Sequence, residues 1–407
     1  MEELIRRDSG LTALRRWRDQ PVIKVVTGVR RCGKSTLLEL FRRDLRADGV
    51  RDDQIVSLNL ESLDDAALAS DFRALHDHVV ARAAAEGTTY VFIDEVQVVE
   101  DFEKAIDSLH LRPGIDLYVT GSNAMMLSGE LATRLSGRYV EVPMTPLSFA
   151  EYVVGRGSGT ELDRLYQDFS RWGSFPFVTR LIPDADAVAD YLEGILSTVL
   201  VKDVMVRQKV ANALMLRDVV TFLMGNVGSP TSLRRVANTL ASAGRRPSPN
   251  TVENYLTGLV DAYVMYPLYA YDVKGLRRLD TPAKYYAVDP GLRAAVVGHR
   301  GGDVGHVLEN VVFLELRRRH KNLWSGRSGD GEIDFVVQEG AQLTYYQVAA
   351  TVRDSATLAR ELAPLQAIRD HHPKYLLTLD QDPPTSHDGI QQRNALDWLT
   401  TDSTRRW

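Results

Sequence analysis

The stretch that leaves this chain the least freedom is "VIKVVTGVRRCGKSTLLELF", residues 22–41. It opens with a β-branched run from Val22 to Val26, the composition of a strand buried in a parallel sheet. It closes in the helical spacing of Leu37, Leu38, Leu40 and Phe41. Between the two lies Gly28-x-x-x-x-Gly33-Lys34-Ser35, the phosphate-loop pattern in full. The glycines let backbone N–H groups turn inward around an anion, and the start of the following helix adds the positive end of its dipole. A chance glycine turn needs neither the strand before it nor the helix after it. Strand, loop and helix together point to an α/β fold with a P-loop parallel sheet core.

Within the loop, Gly28, Val29, Arg30, Arg31, Cys32, Gly33, Lys34, Ser35 and Thr36 are the expected nucleotide contacts. Lys34 is expected to reach the β- and γ-phosphates, and the Ser35 hydroxyl to bind Mg²⁺. Further on, "TTYVFIDEVQ" supplies a hydrophobic strand, Tyr90 to Ile93, that ends in Asp94-Glu95. In that arrangement Asp94 holds Mg²⁺ through water, and Glu95 orients and polarises the attacking water. ATP and Mg²⁺ are the ligands this combination calls for. A third strand, "DLYVTGSN" (116–123), ends in Thr120, Ser122 and Asn123. Where such a strand is inserted between the two motif strands, Ser122 and Asn123 stand beside the γ-phosphate as sensors.

The series continues with "ELATRLSGRYVEVPMTPLSFAEY", which carries Arg134 and Arg138 ahead of a short strand. Its order resembles the prokaryotic AAA+ ATPases whose pattern runs G-x-R-R-x-G-K-S, I-D-E-x-Q, T-G-S, L-x-G-R and P-L-S-F-x-E-[FY]. The resemblance covers residues 22 to about 152, with every element present in order. It implies that Arg138 or Arg134 is an arginine finger acting on the γ-phosphate of a neighbouring subunit. A homo-oligomer, a ring such as a hexamer, is then part of the mechanism.

At 407 residues the chain exceeds what one hydrophobic core organises. The divisions expected are 1–155 for the ATPase core, 156–228 for a helical lid, 229–300 for a winged helix and 301–407 for a small α/β domain. No apolar run reaches the ~18 residues of a membrane span, and the charged N-terminus lacks the apolar stretch of a signal peptide. A cytoplasmic protein with no membrane partner is expected. The only cysteine, Cys32, excludes an intramolecular disulfide, and its place in the loop reads as a small buried filler. The net charge of -5 argues against nucleic-acid binding by the whole surface and leaves local basic faces open.

Residues 160–225 read as helices, with Tyr191, Ile195, Leu196 and Val199 at helical spacing. Within them, Gly173-Ser-Phe-Pro176 is similar to a Gly-x-Pro turn that touches adenine in related signalling ATPases, and equally fits a helix C-cap followed by proline. From Ser229 the order is a helix, a turn at Gly244, a second helix opened by Ser248 and Pro249, and two strands, Val264 to Ala270 and Lys284 to Val288. That is the order of a winged helix. Arg234, Arg235, Arg245, Arg246, Lys274, Arg277 and Arg278 would meet the phosphates of duplex or branched DNA. The second helix carries Glu253 and Asp261 and no arginine, which speaks against base-specific reading and leaves two alternatives, binding by shape or backbone contacts and no DNA binding, as in winged helices that serve as lids or interaction modules.

The C-terminal part carries Glu309 on a helix, then "EIDFVVQEGAQLTYYQVAAT" (332–351), a further helix and a strand. This order resembles the restriction-endonuclease-like core that accompanies the same ATPase family. Its metal-binding pattern, Asp followed by Glu-x-Lys, is broken: Asp334 is present, Gln347 stands for the second acid and Ala349 for the lysine. Phosphodiester cleavage is therefore not expected. Two functional readings follow from the whole chain: an ATPase that binds, remodels or translocates DNA, and an ATP-dependent switch that controls assembly or a protein partner.

Overall fold

The computed structural model describes residues 4–124, 137–157, 160–182, 184–206, 212–242, 244–245, 247–273, 275, 277–279, 281–299, 301–328 and 331–401. The chain divides into two compact units, Met1–Pro146 with Asp261–Tyr263, and Leu147–Val260 with Val264–Trp407.

The first unit is built on five strands: β1 (Ile23–Thr27), β2 (Ile55–Asn59), β3 (Thr89–Asp94), β4 (Ile115–Gly121) and β5 (Tyr139–Pro143). Their order across the sheet is β2-β3-β4-β1-β5, and every neighbouring pair is parallel. The runs read as buried strands are wholly buried in β1 and β3. Alternation along β3 sorts its side chains. Val91 and Ile93 join Leu75 and Val79 of one helix (Phe72–Ala81) and Ile106 and Leu109 of another (Phe102–His110) on one face. On the other face Phe92 stacks on Tyr118 with ring centroids 4.8 Å apart, and Phe41 from the helix Lys34–Ala47 closes over both. Beneath Tyr118, the fully buried Lys24 pairs with Asp116, which also accepts from the Tyr118 hydroxyl at 2.8 Å.

Because the strands are parallel, the C-terminal ends of β1, β3 and β4 emerge on one edge. Lying between the two motif strands, β4 sets Val119 opposite Ile93 and Gly121 opposite Thr27. This order brings the loop after β1, Asp94-Glu95 after β3 and Thr120–Asn123 after β4 to one place.

The second unit begins with helices Phe149–Arg156, Leu162–Trp172, Ala185–Thr198 and Ala213–Gly225. Helices Leu233–Ser242 and Pro249–Asp261 follow, the second with its Thr251 N–H bonded to the Ser248 hydroxyl at 3.1 Å. The strands are β6 (Met265–Leu268), β7 (Ala270–Asp272), β8 (Arg277–Arg278), β9 (Lys284–Ala287), β10 (Leu323–Ser328), β11 (Gly331–Glu339), β12 (Gln342–Val348), β13 (Lys374–Thr378), β14 (Thr385–His387) and β15 (Ile390–Asn394). β6 and β9 pair antiparallel. The others form one sheet in the order β14-β15-β13-β12-β11-β10-β7-β8.

One expectation is corrected here. The strand read as continuous from Val264 to Ala270 breaks after Leu268, and β7 leaves β9 to run parallel to β10. The Tyr269 carbonyl accepts from Ser325 N–H at 3.0 Å where the chain changes partner. The backbone edge of β10 needs donors and acceptors, and residues 270–272 supply them as β7, with β8 pairing β7 in turn. Sheet hydrogen bonds thus cross the division expected at residue 300. The helix Ser355–Gln366 covers this sheet, with Leu362 and Leu365 against Ile333, Tyr345 and Leu376. Among the described residues no helix is long and apolar enough to cross a membrane.

Candidate nucleotide site

The loop after β1 has the backbone a phosphate cradle requires. Gly28 has φ +146, and a Cβ there would stand 2.1 Å from the Met144 carbonyl oxygen, so no larger residue fits. Gly33, at φ 102, caps the helix that starts at Lys34. Cys32 is fully buried, and burial pushes its thiol above the ordinary range. Arg7, absent from the sequence reading, is 5% exposed and donates to the Cys32 carbonyl at 2.9 Å and to the Thr145 carbonyl at 2.8 Å. It ties the loop to the chain after β5. No local motif marks such a residue, because its partners are backbone oxygens far along the chain.

Lys34, 4% exposed, sends its ammonium to the Gly28 and Val29 carbonyls at 3.1 and 3.4 Å and lies 3.3 Å from Glu95 Oε1. The Ser35 hydroxyl donates to Asp94 Oδ2 at 2.5 Å. On its other side Asp94 accepts from the Thr120 hydroxyl, whose oxygen in turn accepts from the Glu95 backbone N–H at 2.9 Å. Glu95 itself sits at φ +55, the left-handed region that a non-glycine residue occupies at a cost. Burial alone would raise its carboxyl, but Lys34, the Gln97 amide and Arg30 together hold it below the ordinary carboxylate value. Gln97 donates to Glu95 Oε2 and stands 3.3 Å from the Ser122 hydroxyl. Ser122 and Asn123 are fully buried at the end of β4.

The donor set fits a nucleotide and its metal. A glycine-only cradle, a buried ammonium and helix N-terminal N–H groups suit the phosphates. Ser35 with Asp94 offers the oxygen pair that holds Mg²⁺ in P-loop enzymes.

Arg138 lies elsewhere. Its carbonyl accepts from Ile23 N–H at 2.8 Å, which puts it at the start of β1, the edge opposite the loop. Five strand residues, Ile23–Thr27, separate it from Gly28, roughly 16 Å at ~3.3 Å per residue. Its side chain, 44% exposed, pairs with Asp107 at 2.6 Å. Arg134, Arg246 and Lys274, and the side chains of Arg277 and Arg278, lie outside the described residues. Of the other basic candidates, Arg245 pairs with Asp218, Arg235 donates to the Pro230 carbonyl at 3.2 Å and to Asn226 at 3.3 Å, and Arg234 is exposed.

The Gly173–Pro176 turn has a second task beside ending its helix. Gly173 N–H bonds Phe169, while Ser174 gives both its N–H (2.6 Å) and its hydroxyl (2.8 Å) to the fully buried Asp289. A Cβ on Gly173 would fall 2.3 Å from that carboxylate.

In the C-terminal sheet, Asp334 and Gln347 lie on β11 and β12 as expected, with Glu309 on the helix Val304–Arg319 beside them. A lysine that the sequence reading missed also arrives there. Lys284 of β9, 5% exposed, lies 3.3 Å from Glu309, 2.6 Å from Glu332 and 3.8 Å from Asp334. Glu309 also accepts from the Tyr286 hydroxyl at 2.6 Å. Gln347 Nε2 donates to Glu361 at 3.0 Å, so its amide is engaged within the fold. Burial and Glu309 push the Asp334 carboxyl up to about 8, with Lys284 acting in the opposite sense. Among the described residues no group of histidine, cysteine and acidic side chains is arranged to hold a metal ion.

Residues 20–153 match the model of an AAA domain, residues 163–302 a domain of unknown function (DUF8612) and residues 304–395 another (DUF4143). An uncharacterised protein of Haemophilus influenzae is 35% identical over 401 residues, 97% of this chain and 98% of its own length. An uncharacterised protein of Methanocaldococcus jannaschii is 27% identical over 336 residues, 77% of this chain and 72% of that one. Among solved structures, the Walker-type ATPase PABY2304 of Pyrococcus abyssi superposes with a TM-score of 0.46 at 14% identity, over 73% of this chain and 98% of that one. The chain carries an AAA domain at residues 20–153 and belongs to the same protein family as the Haemophilus influenzae relative.

Proposed function

We propose that the protein hydrolyses ATP with Mg²⁺ as a homo-oligomer in the cytoplasm and couples the cycle to DNA binding, remodelling or translocation. The observation that carries the hydrolytic reading is the convergence of Lys34, Ser35, Asp94 and Glu95 on one sheet edge. Lys34 binds the β- and γ-phosphates. Ser35 and Asp94 would hold Mg²⁺, which would neutralise charge on the phosphate oxygens. Glu95 orients water so that its oxygen bonds the γ-phosphorus as the bond to the bridging oxygen breaks, and it takes the proton the water gives up. ADP and phosphate leave.

Arg138 supports the oligomeric part of this reading. It stands at the sheet edge away from its own loop, and its pair with Asp107 is half in water, where such pairs contribute about 0–1 kcal/mol. An arginine so placed serves phosphate only on a neighbouring subunit, and it gives up its present partner at little cost.

DNA coupling rests on the exposed Arg234 and on the other basic residues of the sequence between 235 and 278, with contacts to phosphate rather than to bases. The alternative, an ATP-dependent switch acting on assembly or a protein partner, is favoured by the internal partners of Arg235 and Arg245. The C-terminal carboxylates are read as non-catalytic: Lys284 neutralises them, and Gln347 and Ala349 replace an acid and a lysine. Purified protein assayed for Mg²⁺-dependent phosphate release tests the first part. Stimulation by duplex or branched DNA, steeply lost with salt, supports coupling; turnover indifferent to DNA at low salt sinks it in favour of the switch.

A further inference from the structure

Glu95 is held at both ends of its carboxylate, by two groups with different fates. Oε1 faces Lys34 at 3.3 Å, while Oε2 accepts from Gln97 Nε2. The same Nε2 lies 3.3 Å from the buried Ser122 hydroxyl. We propose that Gln97 is the positioning residue of the hydrolytic step, fixing the Glu95 carboxylate and linking it to the γ-phosphate end of β4 through Ser122. This inference rests on the reading of the site as an ATP hydrolase.

Three observations carry it. First, the backbone brings the two residues side by side. Glu95 is left-handed at φ +55 and enters a tight turn, Val96–Val98, closed by Val98 N–H on the Glu95 carbonyl at 3.0 Å. Gln97 is thereby placed beside Glu95. Second, both the main chain and the side chain of Glu95 are tied to β4. The Glu95 N–H donates to Thr120 at 2.9 Å, and Gln97 bridges Glu95 to Ser122. Any shift of the β4 end passes directly to the carboxylate. Third, Gln97 Oε1 is buried and accepts no hydrogen bond. A buried acceptor left unpaired costs free energy that a purely structural amide would avoid. Turning the amide over would satisfy nothing, because an oxygen would then face the carboxylate.

The two contacts divide the work. Phosphates of bound ATP compete for the Lys34 ammonium, and Oε1 is then released toward water. Oε2 stays with Gln97, so the carboxylate keeps one orientation while its other oxygen accepts the proton. Gln97 exchanges no proton.

The test uses the full chain with Gln97→Met, which keeps length without hydrogen bonds, and Gln97→Glu, which keeps shape and adds a repelling charge. Steady-state ATP hydrolysis is measured across pH, with binding of a fluorescent ATP analogue measured in parallel. For Gln97→Met, kcat falls on the order of 10²-fold, while KM and analogue affinity stay within about threefold of wild type, less than 1 kcal/mol by the affinity relation. Gln97→Glu, which sets a like charge beside the Glu95 carboxylate, lowers kcat further at the same analogue affinity. An unchanged kcat in an active background would overturn the positioning role alone. So would equal loss of kcat and nucleotide affinity, which is the mark of a structural role. A wild-type chain that binds ATP and does not hydrolyse it removes the ATPase reading and this inference together.

Discussion

The Lys34 ammonium lies 3.3 Å from Glu95 Oε1, with both side chains withdrawn from water. The cation proposed to bind phosphate and the carboxylate proposed to orient water thus neutralise one another across the sheet edge. Exchange of partners, rather than creation of new charge, is what ATP binding requires. Replacing Glu95 by Gln is expected to preserve nucleotide affinity while lowering hydrolysis by about 10²–10⁴-fold, the range for loss of a general base. Lys34→Met is expected to lose affinity as well. Equilibrium binding beside phosphate release separates the two variants.

The same pair has a pH signature. The folded state holds the Glu95 carboxyl below its ordinary value of 4.5, so its contribution to stability is present above that value and is lost as pH falls through the lowered one. Glu95→Gln should flatten this acid limb. Thermal melts of both proteins from neutral to strongly acidic pH give the comparison.

Arg138 and Glu95 are expected to act on one nucleotide from different subunits. Arg138→Ala should cost little stability, about 0–1 kcal/mol for an exposed pair. Its ATPase activity should fall by about 10³-fold or more, as for loss of an arginine finger. Mixing the inactive Arg138→Ala and Glu95→Gln proteins should restore part of the activity, since interfaces with one intact set of each form by exchange. Activity of the mixture no higher than its components would argue against a finger in trans.

Arg7 supports the loop from below through the carbonyls of Cys32 and Thr145. Arg7→Met leaves these acceptors short of donors, at a cost of about 2 kcal/mol. It should also loosen the cover over Cys32. The native thiol, buried and harder to ionise than usual, should react slowly with an aromatic disulfide reagent, and the variant faster.

Lys284 and Asp334 make the second unit sensitive to pH in the opposite direction to Glu95. Asp334 is raised from 3.8 to about 8, so between these values the folded state binds more protons than the unfolded one, and stability falls as pH rises. Asp334→Asn should remove that slope and gain on wild type toward the upper end of the window. Lys284→Met strands Glu309, Glu332 and Asp334 without their cation, and a loss of about 3–5 kcal/mol is expected in denaturant melts.

Legibility differed sharply between the two ends of the molecule. Gly28, Gly33, Lys34, Ser35, Asp94 and Glu95 stand in short motifs because each works within a single strand-to-loop junction. The buried strands that carry them are marked by β-branched runs. Gln97 was visible in the same stretch, yet its contact with Ser122 depends on which strand lies beside β3. Arg7 and Lys284 left no local trace, since their partners come from other parts of the chain. The strand from Val264 to Ala270 was read as continuous for a related reason: strand pairing is settled by which backbone edge is left unsatisfied, and local sequence does not record it.

By itself, then, the sequence determined the phosphate loop, the acidic strand end and the α/β class, because glycine conformation, charge and hydrophobic alternation act over a few residues. Tertiary structure alone decided that β4 lies between β1 and β3, that Arg138 faces away from its own nucleotide loop, and that a lysine from β9 meets the carboxylates of the C-terminal sheet. Those outcomes depend on parallel strand order and on pairing charges in a common interior. Both are settled by long-range burial and hydrogen-bond satisfaction, which no short stretch of chain encodes.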